Sequence, residues 1–196
     1  MATNLTATAD ILPACVIHKI LCHLSYGEAT LMRILSKTWL QAWSTLPSLE
    51  FRVGYFEDTE IMDSIMESYR DNKIFIDKFE CSNCLKSNSR YQVFPLIHKW
   101  LFIALQNGVK DIVYGDPHHL IRSYPFPIFN VLAGNSLREL VLEGCNLKHV
   151  RFPSGVANYG SLRKLSLTKM QWDQHERIAA SPQNCDPPSG HFTCQH

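Results

Sequence analysis

Apolar residues in the first quarter of the chain recur at helical intervals. After Pro13, which suits the first turn of a helix, Val16, Ile17, Ile20, Leu21 and Leu24 follow the i, i+4, i+8 rhythm of one apolar stripe. Ser25, Tyr26 and Gly27 interrupt it. Glu28 to Ser36 then resumes the pattern with Ala29, Leu31, Met32 and Leu35, and Trp39 and Trp43 stand one turn apart. The spacing predicts three short helices with more apolar surface than so small a unit can bury, and therefore a partner. Leu24, Ala29 and Trp43 read as core, and Leu12 and Pro13 as interface.

A different pattern governs the second half. Leu137, Leu140, Leu142 and Cys145 recur as Leu162, Leu165, Leu167 and Met170, each pair 25 residues apart, and Ser136-Leu137-Arg138 is echoed by Ser161-Leu162-Arg163. The template is LxxLxL, and the interval falls within the span of about 20 to 29 residues that marks leucine-rich repeats. Upstream, Val109, Ile112 and Tyr114 form a degenerate copy, and Ile76, Phe79, Cys81 and Cys84 another, at irregular offsets of 28 and 33 residues. About four turns of a solenoid are implied. In each turn LxL puts two apolar side chains on the core face of a short strand and the residue between them on the open face, so Glu80, Val113, Val141 and Ser166 are the candidate surface. Val93 to Gln106, with Val93, Leu96, Ile97, Trp100, Leu101 and Leu105 at helical spacing, reads as a connecting helix that Gly108 ends. Pro125 and Pro127 make their segment an extended, buried connector.

Several of these elements carry a resemblance. Leu12-Pro13, Ile20-Leu21-Cys22-His23-Leu24, Glu28-Ala29, Leu35-Ser36-Lys37-Thr38-Trp39 and the exit Leu46-Pro47-Ser48-Leu49-Glu50-Phe51 resemble the F-box of plant F-box/leucine-rich-repeat proteins. The helix WLxxAL leading into GVKxIxY, and Tyr124 to Phe129 leading into SLRELVLEGCNL, are similar to the repeats of the same family. The resemblance implies an F-box that docks on the adaptor subunit of a cullin-RING ubiquitin ligase, with the following domain holding an unidentified protein substrate. Matched residue by residue, the implied adaptor-binding set is Leu12, Pro13, Val16, Ile17, Ile20, Leu21, Leu35, Ser36 and Trp39. The pattern departs at Ala14 and Cys15, where the family often has two acidic residues, and at Ser25, where it often has proline.

Composition narrows the alternatives. With 196 residues, 45% hydrophobic and 19% charged, the chain can build a core. A net charge of +1, from 19 basic and 18 acidic residues, leaves no basic patch for nucleic acid. That balance also argues against reading residues 13 to 43 as a helix-turn-helix, since its second helix would offer DNA only Arg33 and Lys37. The first ten residues lack the features of a signal peptide, and no apolar run reaches membrane-spanning length, so no membrane partner is expected and the location reads as cytoplasmic or nuclear. Seven cysteines then read as reduced thiols.

Candidate chemistry is thin. Cys81 and Cys84 form a CxxC that could join Cys185, Cys194 and His196 in a zinc module, but both fall on repeat positions, where packing accounts for them. His118 and His119 stand beside Asp116, and read as exposed loop residues. No GxSxG, phosphate-binding glycine loop or HExxH occurs, so no catalytic residue, metal or cofactor is expected.

The resulting expectation is an α+β chain: a three-helix F-box at residues 11–51, an irregular α/β leucine-rich-repeat solenoid fragment at 52–172, and a disordered tail at 173–196. It reads as a shortened family member that serves as a substrate receptor, with a non-catalytic decoy or plain interaction module as the alternative.

Overall fold

A computed structural model of the chain describes residues 11–54, 58–85, 90–118, 123–148, 161–172 and 191–195, with residues 90, 91 and 191–195 described by backbone alone. The fold is α+β. The N-terminal unit consists of α1 (Ala14–His23), α2 (Tyr26–Met32) and α3 (Lys37–Trp43). Ser25 does more than interrupt a pattern: it opens α2 with a capping box. Its backbone amide and hydroxyl donate to the Glu28 carboxylate at 2.9 and 2.7 Å, and the Glu28 amide donates back to Ser25 Oγ at 3.3 Å. α2 stops at Met32, so Leu35 and Ser36 lie in the turn that precedes α3. Ile17, Leu21, Ala29, Trp39, Ala42, Trp43 and Leu46 pack into one small core.

The chain then builds a single sheet. In order come β1 (Ser48–Val53), α4 (Thr59–Asp71), β2 (Lys78–Asn83), α5 (Arg90–Gln106), β3 (Asp111–Gly115), α6 (Ile128–Leu132), β4 (Glu139–Glu143), β5 (Lys164–Thr168) and β6 (His191–Gln195). The strands lie in sequence order; β1 to β5 run parallel, and β6 runs antiparallel to β5. The sheet thus starts at Ser48, ahead of the boundary at residue 52 expected from sequence. Leu49, Phe51 and Val53 alternate inward along β1, and the Pro47 carbonyl accepts from the amides of Asp77 and Lys78 at 2.7 and 3.1 Å, which splices β1 onto β2. β6 falls inside the span read as a disordered tail; the rest of that span, with Cys185 and His196, lies outside the described residues.

Two of the helices bury their apolar sides on one sheet face. α4 was not anticipated from sequence. Asp58 caps it, accepting from the amides of Glu60 and Ile61, and Met66 and Tyr69 enter the core. α5 starts three residues earlier than the apolar spacing suggested and supplies Ile97, Trp100, Leu101 and Ala104. Gly108 ends it as expected: its φ of 76° suits a residue without a Cβ, and its amide donates to the Leu105 carbonyl at 3.2 Å. At the centre of the core Phe51 meets Phe79 and Trp100 edge-on, with ring centroids 5.8 and 5.3 Å apart. Tyr124, Phe126 and Ile128 are buried, so the proline segment is a buried connector. It is extended only as far as Pro125, which bridges to Asn146; after Pro127 the chain turns into α6.

The two cores touch. Tyr26 and Ile65 pack against both, with the Tyr26 ring 6.1 Å from that of Trp43 and 6.4 Å from that of Phe51. Among the described residues no helix is long and apolar enough to cross a membrane.

Candidate functional site

Eight of the eleven large apolar side chains that stand exposed among the described residues belong to the N-terminal unit or the residues beside it: Ile11, Leu12, Val16, Ile20, Leu31, Ile34, Leu35 and Leu40. The cause is geometric. α1 has an apolar stripe broader than its neighbours can cover: Ile17 and Leu21 turn inward, while Val16 and Ile20, one turn apart, line its outer flank, and Leu12, just before the helix, is exposed as well. Ile34 is 80% exposed and Leu31 69%, so the unit keeps apolar surface outside its own core.

The sequence-derived docking set therefore divides. Leu12, Pro13, Val16, Ile20 and Leu35 reach the surface. Ile17, Leu21 and Trp39 do not: they are 0%, 1% and 7% exposed and form the unit's core. Ser36 is half-buried and caps α3, accepting from the Trp39 amide at 3.5 Å. The reading missed Ile11, Leu31, Ile34 and Leu40. The Ile34-Leu35 doublet lies in the turn between α2 and α3, where neither side chain has a helix face to turn inward.

Polar contacts stiffen this unit from behind. His18 Nε2 lies 3.3 Å from the Thr45 carbonyl, which ties α1 to the end of α3. The Trp43 indole donates to Thr30 Oγ1 at 3.2 Å, Thr30 donates to the Tyr26 carbonyl at 2.7 Å, and the Arg33 guanidinium sits 5.0 Å from the Trp43 ring centre.

The second surface is the sheet face that the helices leave open. Parallel register places Glu50, Glu80, Val113, Val141 and Ser166 in one row across β1 to β5, so the four residues expected on the open face do lie side by side, with Glu50 added by β1. One row holds Ser48, Lys78, Asp111, Glu139 and Lys164, and the other Arg52, Ser82, Gly115, Glu143 and Thr168. Among these strand residues every charged side chain has a mate. Arg52 pairs with Glu50 at 2.7 Å, Lys78 with Glu80 at 2.8 Å, Lys164 with Glu139 at 3.2 Å and Lys169 with Glu143 at 2.5 Å. Arg138 spans Asp111 and Asp77 at 3.5 and 3.7 Å, and Lys110 also meets Asp77. Partial burial raises the Asp111 carboxyl above its ordinary value, with Arg138 opposing.

The expected chemistry of the cysteines changes in one respect. Cys81 is buried as a repeat position requires, but Cys84 is exposed. Strand alternation continues through Phe79, Cys81 and Asn83, so Asn83 turns inward in its place and its Oδ1 accepts from the Leu85 amide at 3.3 Å. The side chain of Cys194, on β6, lies outside the described residues. Among the described residues no three His, Cys, Asp or Glu side chains gather as a metal site. His118 is half-buried rather than exposed, its amide held by the buried Asp116 at 3.1 Å; His119 lies outside the described residues.

Comparison with known proteins finds likeness both for the N-terminal unit and for most of the chain. Residues 10–51 match the model of the F-box domain. An F-box/FBD/LRR-repeat protein of Arabidopsis thaliana is 29% identical over 105 residues, covering 52% of this chain and 25% of its own. Two F-box/LRR-repeat proteins of the same plant are each 25% identical, over 205 and 207 residues, covering 87% and 88% of this chain and 61% and 41% of theirs. The chain thus spans between a quarter and about three fifths of the length of these curated relatives. No solved structure matches.

Proposed function

For an F-box protein whose remaining chain is similar to the F-box/LRR-repeat proteins of Arabidopsis, we propose the role of substrate-receptor subunit in a cullin-RING ubiquitin ligase. The box docks on the adaptor through Leu12, Pro13, Val16, Ile20, Leu31, Ile34 and Leu35. The open sheet face, with Glu80, Val113, Val141 and Ser166 at its centre, presents the substrate. The chain contributes binding and geometry, and ubiquitin transfer takes place on other subunits. Its exposed thiols, Cys15, Cys22 and Cys84, suit a reducing compartment, cytoplasm or nucleus.

The observation that carries this reading is the concentration of exposed aliphatic side chains on the box, at positions its own core leaves outside. Co-expression of residues 1–196 with the adaptor subunit, followed by gel filtration, tests it. Co-elution that disappears in Val16→Asp, Ile20→Asp supports docking through this surface. A folded wild type that elutes alone overturns it.

A further inference from the structure

We propose that His18 and Cys22 form a two-ligand site for a zinc ion on the flank of α1 that lies away from the docking surface. Inward-facing Ile17 and Leu21 divide the helix. Val16 and Ile20 precede them by one position each and line the outer flank, while His18 and Cys22 follow them by one position each and share the opposite one. Being four residues apart, the two side chains stand one turn from each other, and Cys22 Sγ lies 3.6 Å from His18 Nδ1.

The imidazole is already set for coordination. Its Nε2 lies 3.3 Å from the Thr45 carbonyl, an oxygen that can only accept, so Nε2 carries the proton of the neutral ring and Nδ1 keeps its lone pair towards Cys22. A ligating histidine almost always donates its other ring nitrogen in this manner, to a carboxylate, a backbone carbonyl or water, and that bond fixes both tautomer and orientation.

The separation of the two ligand atoms is the second argument. A tetrahedral zinc ion with bonds of about 2.3 Å to sulfur and about 2.0–2.1 Å to nitrogen holds those atoms about 3.5–3.6 Å apart. Sγ and Nδ1 stand at that distance without either side chain leaving its rotamer. Desolvation pushes the Cys22 thiol up, so the metal-free pair is a thiol donating to Nδ1; on binding, that proton goes to solvent, and the thiolate and the imidazole hold the cation between them. Cys22 is exposed, which gives the ion a path in and lets water fill its remaining positions. Sulfur beside imidazole nitrogen selects zinc over magnesium or calcium, which take oxygen ligands.

The test titrates zinc chloride into the reduced full chain, residues 1–196, by isothermal calorimetry. It then repeats the titration with cobalt(II), whose thiolate-to-metal charge-transfer absorption reports a sulfur ligand. Cys22→Ser and His18→Gln should each weaken binding by about tenfold or more, while Cys84→Ser, which removes an exposed thiol on the sheet, leaves it unchanged. Zinc should also raise the melting temperature of the wild type and not that of the first two variants. If His18→Gln does not fold, Cys22→Ser decides alone, since its side chain is exposed. Absence of binding heat and of the charge-transfer band, binding that survives Cys22→Ser, or binding that is lost with Cys84→Ser overturns the proposal.

Discussion

The hydroxyl of Tyr69 donates a buried 2.7 Å hydrogen bond to the carbonyl of Leu46. The donor belongs to α4 in the sheet's core and the acceptor closes the core of the box, so one bond joins the two parts at the point where the chain passes from helix to strand. Burial pushes the Tyr69 phenol well above its ordinary value of 10.0.

Tyr69→Phe keeps the ring and removes the donor, leaving the Leu46 carbonyl without this partner. The expected loss is about 1–3 kcal/mol of unfolding free energy, read from urea denaturation. A loss indistinguishable from zero would mean that water replaces the bond at no cost.

Alkaline pH tests the same burial. Desolvation also raises Tyr26, to about 12, as well as Tyr114 and Tyr124. Above pH 10 the unfolded chain releases these protons while the folded chain keeps them, so the unfolded state binds fewer and stability falls as pH rises. Urea midpoints at about pH 9 and 11 should show a steep decline, and Tyr69→Phe should make it shallower. Equal midpoints would contradict the buried phenols.

Ile17 and Ile20 lie three residues apart on α1 and should behave as opposites. Ile17, fully buried, should cost about 2–5 kcal/mol as Ile17→Ala. Ile20→Asp, on the outer flank, should leave the melting temperature nearly unchanged and abolish adaptor co-elution. If Ile20→Asp unfolds the box, the outer flank is part of its core.

Asp63 accepts from the buried Trp100 indole and from Lys99, both at 2.9 Å, and so clamps α4 to α5. Burial pushes its carboxyl up, but the bonds from Lys99 and Trp100 outweigh that and hold it below its ordinary 3.8. A lowered folded value means that its contribution is complete above 3.8 and disappears as pH falls below it. Asp63→Ala, which leaves the indole without this acceptor, should cost about 1–3 kcal/mol at neutral pH and flatten the acid limb of the stability profile.

Gly108→Ala should destabilise by about 1 kcal/mol or more, because φ is +76° and the new Cβ would come within 3.3 Å of the Phe75 ring. Thermal melting of the two proteins side by side checks this.

The repeats were legible where a pattern occurred twice. Leu140 and Leu142, echoed by Leu165 and Leu167, announced β4 and β5, and the row from Glu80 to Ser166 followed from strand alternation alone. β1 stayed hidden because its Leu49 and Phe51 also completed the N-terminal motif, and one strand cannot display a period. α4 was overlooked although Met62, Ile65, Met66 and Tyr69 keep helical spacing. The expected docking set divides between surface and core for a physical reason: Val16 and Ile17 occupy two edges of one broad stripe, equally apolar, and only the packing of α3 decides which edge is inside. Cys84 was misplaced by one residue, which on a strand is the difference between core and solvent.

The parallel register stays unbroken from Ser48 through Lys78, Asp111 and Glu139 to Lys164, although the connections between these residues differ in length from one turn to the next. Irregularity is confined to the side of the helices and turns, so insertions and deletions can accumulate there without moving any outward residue relative to its neighbours. The open face is then a grid whose positions can be exchanged singly while the spacing of about 4.8 Å between strands persists. Point substitution changes what this surface presents without refolding the scaffold beneath it.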